Sequence, residues 1–311
     1  ARCWKHAGLH QTAIDMDTSD TESTLAELER LLCGDEGSSV LHTLARLGSG
    51  APLSEEERGN VSLLAKLDLG AESDRGFEPN LLGMKCADAA REYVFWVERN
   101  RLLHSEGEWP QLELDAFQDK DVLEIGSGWG CNLFRLQQVT SSAVGCEIVP
   151  VYRRFTGIFA KIEGVDAPKV DLGAGEQLPY EDESFDCILM FSALQYMNAR
   201  AAVREVARVL RPGGSFISSQ PMFNEIVAYA SGTVRRPYSL RNTLIDLTNS
   251  LSYEVLNRRV FGNRPSYSTA RPVYLTQRKL VSLLAAAGLD VQPGSTVPSD
   301  GFSPVIVDKR P

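Results

Sequence analysis

Histidine is scarce in this chain and absent after His104; the four are His6, His10, His42 and His104. A histidine base or a histidine-rich metal site is thereby excluded from everything downstream of that residue. The six cysteines, at 3, 33, 86, 131, 146 and 187, include no C-x-x-C pair. That spacing speaks against a zinc site and a disulfide framework, and no metal is expected. No apolar run nears the roughly 20 residues that a bilayer-spanning helix needs. The stretch from Ala1 to His6 lacks the apolar core of a signal peptide. These absences lead us to expect a cytoplasmic protein with no membrane partner. Bases are also short, with 32 Lys and Arg against 41 Asp and Glu, a net charge of −9. Such a balance argues against general nucleic-acid binding.

What is present suits one large α/β domain with a smaller accessory region, since 311 residues with 43% apolar content can bury a sizeable core. Residues 1–114 are expected to form a tail and an all-helical cap. Thr24-x-x-Glu27 has the form of a capping box, followed by the stripe Leu25, Leu28, Leu31 and Leu32 up to Gly34. Further helices are expected at 39–47, from Ser54-x-x-Glu57 to about 67, and over 82–103. Residues 115–311 then alternate strands and helices. Strands are expected at 122–125, 143–147, 169–172, 185–190, 215–219, 289–292 and 304–308. Helices are expected at 131–139, 150–163, 199–210 and 277–287. That alternation predicts a doubly wound, mostly parallel seven-stranded sheet, interrupted after the fifth strand by an insertion at 220–273.

The centre of the pattern is Val122-Leu123-Glu124-Ile125-Gly126-Ser127-Gly128-Trp129-Gly130. It reads as a buried strand, a tight turn and a helix start, with glycines that let a ligand approach the main chain. The dinucleotide pattern G-x-G-x-x-G fails here, because its sixth position is Cys131. The motif instead resembles the first motif of class I S-adenosylmethionine-dependent methyltransferases. Four later segments resemble that family in order: 175–180 (Gly-Glu-Gln-Leu-Pro-Tyr), 184–188 (Ser-Phe-Asp-Cys-Ile), 208–214 (Arg-Val-Leu-Arg-Pro-Gly-Gly) and 274–289. One departure is Ala174, where the family often carries an Asp that reads the adenine amino group.

The resemblance implies S-adenosylmethionine as cofactor and S-adenosylhomocysteine as product. It implies cofactor contacts at Glu124, Gly126, Ser127, Gly128, Trp129, Gly130, Glu147, Ile148, Gly175, Glu176 and Ser192. Glu147, 21 residues after Gly126, would accept from both ribose hydroxyls. Trp129, Phe191 and Tyr196 lie where a π face could meet a sulfonium, or could be plain packing. For a general base the candidates are His104, Tyr196 and Glu225. His104 also reads as a residue at a helix C-terminus, interacting with the dipole.

From Thr233 to Lys279 there are nine bases and two acids, a net +7 in a chain of −9. Arginine forks suit carboxylate or phosphate. Arg235, Arg236 and Arg241 are therefore expected to face a small, anionic acceptor at the pocket mouth. The reading is methyl transfer to an oxygen of a small or medium-sized molecule bearing a carboxylate or phosphate. The alternatives are an RNA or protein methyltransferase, or a cofactor-binding regulatory protein without turnover. The missing N/D-P-P-Y motif argues against adenine or glutamine nitrogen as acceptor.

Overall fold

Seven strands make the central sheet, in the order β5-β4-β3-β6-β7-β9-β8. The computed structural model describes residues 19–73, 76–98, 114–234, 239–262, 271–292 and 305–310. The strands are β3 (Asp121–Ile125), β4 (Ser142–Glu147), β5 (Lys169–Leu172), β6 (Phe185–Phe191), β7 (Leu210–Ser219), β8 (Leu289–Val291) and β9 (Val305–Lys309). Pairing is parallel from β5 through β7; β9 runs antiparallel to β7 and β8. The mostly parallel seven-stranded sheet expected from the alternation is what the chain forms. β3 is buried along nearly its whole length, as befits a strand covered on both faces.

Helices cover both faces. They are α5 (Leu133–Leu136), α6 (Pro150–Glu163), α7 (Ala199–Val209) and α10 (Gln277–Ala286), with α8 (Phe223–Ser231) and α9 (Leu240–Leu256) in the insertion. Pro150 opens α6 and Gly164 closes it at φ 68°, the two ends where each residue is least costly. The helix after the glycine turn, expected over 131–139, is a single turn. Gly130 at φ 85° delays it, and its cap Asn132 makes no capping bond. A helix so short contributes little dipole. β7 starts earlier than expected: residues 211–214 bulge out of the ladder at Gly213, φ 75°.

The N-terminal region holds α1 (Ser19–Leu32), α2 (Gly37–Ser49), α3 (Glu55–Lys66) and α4 (Leu81–Glu98). Thr24 lies inside α1, so the first capping box is not one. The second is: Ser54 and Glu57 cap α3 reciprocally. This region is not all helical. β1 (Gly70–Ser73) and β2 (Gly76–Pro79) form a hairpin ahead of α4. Gly70 permits it, because a Cβ there would lie 2.4 Å from the Glu78 carbonyl. α1, α2 and α4 share one hydrophobic cluster with Trp129, Phe134, Phe155 and Phe159 of the sheet domain. Tyr93 of α4 stacks on Phe159 of α6 at 4.1 Å. At the rim, Glu29 pairs with Arg154 and Lys161 of α6.

Candidate cofactor site at the sheet's switch point

The order of strands reverses between β3 and β6, and ligands of open α/β sheets bind outside the strand C-termini at that point. Three glycines line it with positive φ: Gly126 at 69°, Gly128 at 57° and Gly130 at 85°. They are not equivalent. A Cβ on Gly126 would sit 2.4 Å from the Ala193 methyl, so that glycine serves packing against the loop after β6. A Cβ on Gly128 would meet nothing within 4 Å. It faces open space, the room a ligand lying along the backbone requires.

Glu124, at the end of β3, is buried to 3% exposure. Asn132 donates to its Oε1 at 2.6 Å, while its Oε2 has no partner. Burial pushes its carboxyl up to about 8. The Ser127 hydroxyl, in the turn, is also buried without a partner. Native proteins seldom leave such atoms unpaired unless something else pairs with them.

Glu147 ends β4 and is buried. Its Oε1 accepts from the N–H groups of Ile148 and Val149, each at 2.8 Å, and its Oε2 from Gly128 at 3.0 Å. A carboxylate has about four acceptor positions. Three are taken, which leaves about one for an outside donor. Its first role is to tether the glycine turn to β4. Burial raises its carboxyl above the usual range. Ile148 beside it is exposed, an apolar surface at the rim.

Other expected residues fall as follows. The Trp129 ring is 3% exposed, enclosed by Tyr93, Trp96, Phe134 and Phe159. The N-terminal helices cover it, so its side chain cannot meet a sulfonium; only its backbone remains in the turn. Phe191 is half-buried packing. Gly175 is buried against Met197, and Glu176 accepts from the Asn198 N–H at 2.7 Å. That bond binds the segment to the start of α7. Ser192, directly after β6, stands at φ 49°, a left-handed conformation unusual for serine. Its N–H donates to the Ser219 carbonyl at 2.7 Å. Tyr196, on the same loop, is 43% exposed. Glu225 accepts from the Met222 N–H at 3.0 Å and caps α8, which argues against its use as a base. His104, Arg235 and Arg236 lie outside the described residues.

Arg241 is exposed on the outer side of α9, in a groove of about 450 Å³ with Leu240, Leu244, Ile245, Thr248 and Phe261. α9 buries Thr243, Asp246, Asn249 and Tyr253, so the helix turn carries Arg241 outward. No residue of the glycine turn lines that groove. Two other bases of the insertion are structural. Arg271 pairs with fully buried Asp246 at 3.2 Å. Arg259 donates to the carbonyls of Gln195, Met197 and Arg271, and so clasps the Tyr196 loop.

One further residue of the site carried no sequence signal. Lys85 of α4 is 7% exposed, with its ammonium 5.5 Å from the centre of the Tyr152 ring. Burial lowers its pKa, opposed by the charges of Asp88 and Glu147. Tyr152 in turn donates to Asp88 at 2.5 Å. On a helix whose spacing reads as cap, a lysine looks like a solvated face; tertiary packing carries this one toward the Glu147 side of the site.

Known proteins resemble this chain over the sheet domain. Residues 123–218 match the family described as "Methyltransferase domain". An uncharacterized methyltransferase, YcgJ of Bacillus subtilis, is 28% identical over 150 residues, 44% of this chain and 59% of that protein. Demethylmenaquinone methyltransferase of Corynebacterium glutamicum is 30% identical over 129 residues, 41% of this chain and 52% of that one. The chain thus spans between half and two-thirds of the length of these relatives. The crystal structure of YcgJ is similar with a TM-score of 0.41 and 20% identity, covering 58% of this chain and 67% of that one. Residues 123–218 are thus a methyltransferase domain, of the kind found in class I, S-adenosylmethionine-dependent methyltransferases.

Proposed function

We propose that the chain transfers a methyl group from S-adenosylmethionine to an oxygen of a small or medium-sized acceptor bearing a carboxylate or phosphate. The observation that carries the cofactor half is the Glu124 carboxylate, buried with one oxygen held by Asn132 and the other without a partner. An unpaired buried oxygen costs about 1–3 kcal/mol, more when charged. A cationic amino group removes that cost and restores the ionised form. Open space at Gly128, two residues beyond the strand end, fits a ligand laid along the turn.

In this reading Glu124 holds the ammonium of the methionine end, and Gly126 to Gly130 pass beneath it. Glu147 takes one ribose hydroxyl, Ile148 packs against the base, and Gly175, Glu176 and Ser192 form the rim. When bound, S-adenosylmethionine supplies a methyl group on a positive sulfur, already activated for displacement. The protein's share is to align the acceptor oxygen and exclude water. The Arg259 clasp holds the Tyr196 loop in place for that alignment.

Tyr196 is the described candidate for moving a proton, since Glu225 is committed to a helix cap. An acceptor oxygen already ionised at neutral pH needs no base, which favours a carboxylate. Arg235 and Arg236, in a segment of +7, would supply the counter-charge. The test is transfer of labelled methyl from S-adenosylmethionine to fractionated metabolites, with Glu124→Ala as control. Label in acidic metabolites, lost in the variant, is the expected result. Label only in neutral amines or in protein would end the acceptor assignment.

A further inference from the structure

A surface helix of a soluble protein buries its apolar stripe and turns its polar face to water. α9 does the reverse. Its buried face is Thr243, Asp246, Asn249 and Ser250, all at 0% exposure, with Tyr253 at 1%. Each polar group there is satisfied. Asp246 pairs with Arg271. Asn249 accepts from the N–H groups of Val260 and Phe261. Ser250 donates to the Asp246 carbonyl and accepts from the Tyr274 N–H. Thr243 donates to the Ser239 carbonyl. These bonds fix the rotation of α9, so its outward face is a built feature and not a loose one.

That outward face is aliphatic. Leu240, Leu244, Leu251 and Val255 are 47%, 47%, 51% and 77% exposed and fall on one stripe, joined by Val260 and Phe261 from the following segment. Among the described residues, nine of the fifteen exposed large hydrophobics lie between Val227 and Phe261. Arg241 and Arg258, both exposed, stand near the two ends of the stripe. The surrounding stretch, Thr233 to Lys279, carries +7 in a chain of −9.

The charge selects the occupant. A second copy stacked stripe on stripe would bring the exposed Arg241 and Arg258 of one against those of the other, which is unfavourable. Cores of protein interfaces favour Tyr, Trp and Arg, whereas this face is Leu and Val with one Phe. An aliphatic stripe bracketed by arginines fits the headgroup boundary of an anionic bilayer. We propose that α9 lies on an anionic lipid surface, with its leucines among the acyl chains and Arg241 and Arg258 against the phosphates. No helix among the described residues is long and apolar enough to cross a membrane, so the contact is peripheral. The sequence expectation of no membrane partner rested on the missing spanning run, which says nothing of surface contact.

The test is sedimentation of the full chain with phosphatidylcholine vesicles, with and without phosphatidylglycerol. Binding is expected only to the anionic vesicles, and it should fall as salt rises. Leu244→Ser with Leu251→Ser should abolish it while cofactor affinity stays unchanged. Arg241→Gln with Arg258→Gln should weaken it about tenfold or more. The arginine pair is wholly on the surface, so it decides the question even if the leucine pair impairs folding. Failure to bind anionic vesicles, or equal binding by the arginine variant, overturns the proposal. So does a concentration-dependent dimer that the leucine variant abolishes, for the stripe then belongs to a second copy. These outcomes are independent of whether methyl transfer is found.

Discussion

Replacing Glu124 by Gln tests the site through a proton. In the protein alone, burial lifts the Glu124 carboxyl from an ordinary 4.5 to about 8. Below the ordinary value the group is protonated in folded and unfolded chains alike, and its contribution to stability is fully present. As pH rises from about 4.5 toward about 8, the unfolded chain releases the proton and the folded chain keeps it. Stability therefore falls through that window. At about 1.4 kcal/mol per pH unit, the ceiling on the loss is about 5 kcal/mol, and water entering the pocket lowers it. Gln has the same shape, can still accept from Asn132 and cannot ionise. Urea unfolding from about pH 5 to about pH 8 should show the wild type losing roughly 2–5 kcal/mol that the variant keeps. Cofactor binding runs the proton the other way. A cation beside the unpaired Oε2 favours the carboxylate, so the wild type should release a proton on binding near neutral pH, and Glu124→Gln should not. Calorimetry in two buffers of different ionisation enthalpy reads that proton. The variant should also bind S-adenosylmethionine about 1.5–3 kcal/mol more weakly. Parallel stability curves for the two proteins, with a buffer-independent binding enthalpy in the wild type, would refute the reasoning.

Gly128→Val should end binding of both S-adenosylmethionine and S-adenosylhomocysteine, because its side chain enters the open space beside the turn. The left-handed backbone adds a cost of about 1–2 kcal/mol, so a folded variant with normal affinity would clear Gly128 of any role. Glu147→Ala should lower stability by about 2–4 kcal/mol as well as cofactor affinity, since three backbone N–H groups lose their acceptor. An unchanged Tm would show that the tether is not needed. Arg271→Met leaves Asp246 buried without its cation and should cost about 3–5 kcal/mol in chemical unfolding. Adding Asp246→Asn to the same chain should recover part of that loss, and no recovery would mean that the pair is not the source.

The features that were legible in the sequence are those set by local chemistry. A buried parallel strand must be apolar, a turn under a ligand needs glycine, and Pro-Gly-Gly cannot continue a helix. The strand ahead of the turn, the glycines at positive φ and the seven mostly parallel strands follow from such rules. What failed depended on tertiary context. Trp129 is adjacent to the turn in sequence, yet the N-terminal helices seal its ring into their core. The nine bases from Thr233 to Lys279 looked alike, but Arg259 and Arg271 spend their hydrogen bonds inside the fold. Glu147 showed its charge and position but not the three N–H groups that would occupy it. Lys85 gave no sign, because nothing in a helical pattern tells which lysine a neighbouring sheet domain will cover.

The shared cluster of Trp129, Phe134, Phe155 and Phe159 with α1, α2 and α4 makes the unit that packs together longer than the stretch the family model matches. The match to the methyltransferase-domain family starts at residue 123, but the hydrophobic surface that completes α6 is supplied from Leu25 onward. A fragment cut where the resemblance starts would leave four aromatic rings facing water beside the glycine turn. The N-terminal helices are thus part of the wall that holds the cofactor loop in shape, and a change among them is felt as a change in the loop's rigidity.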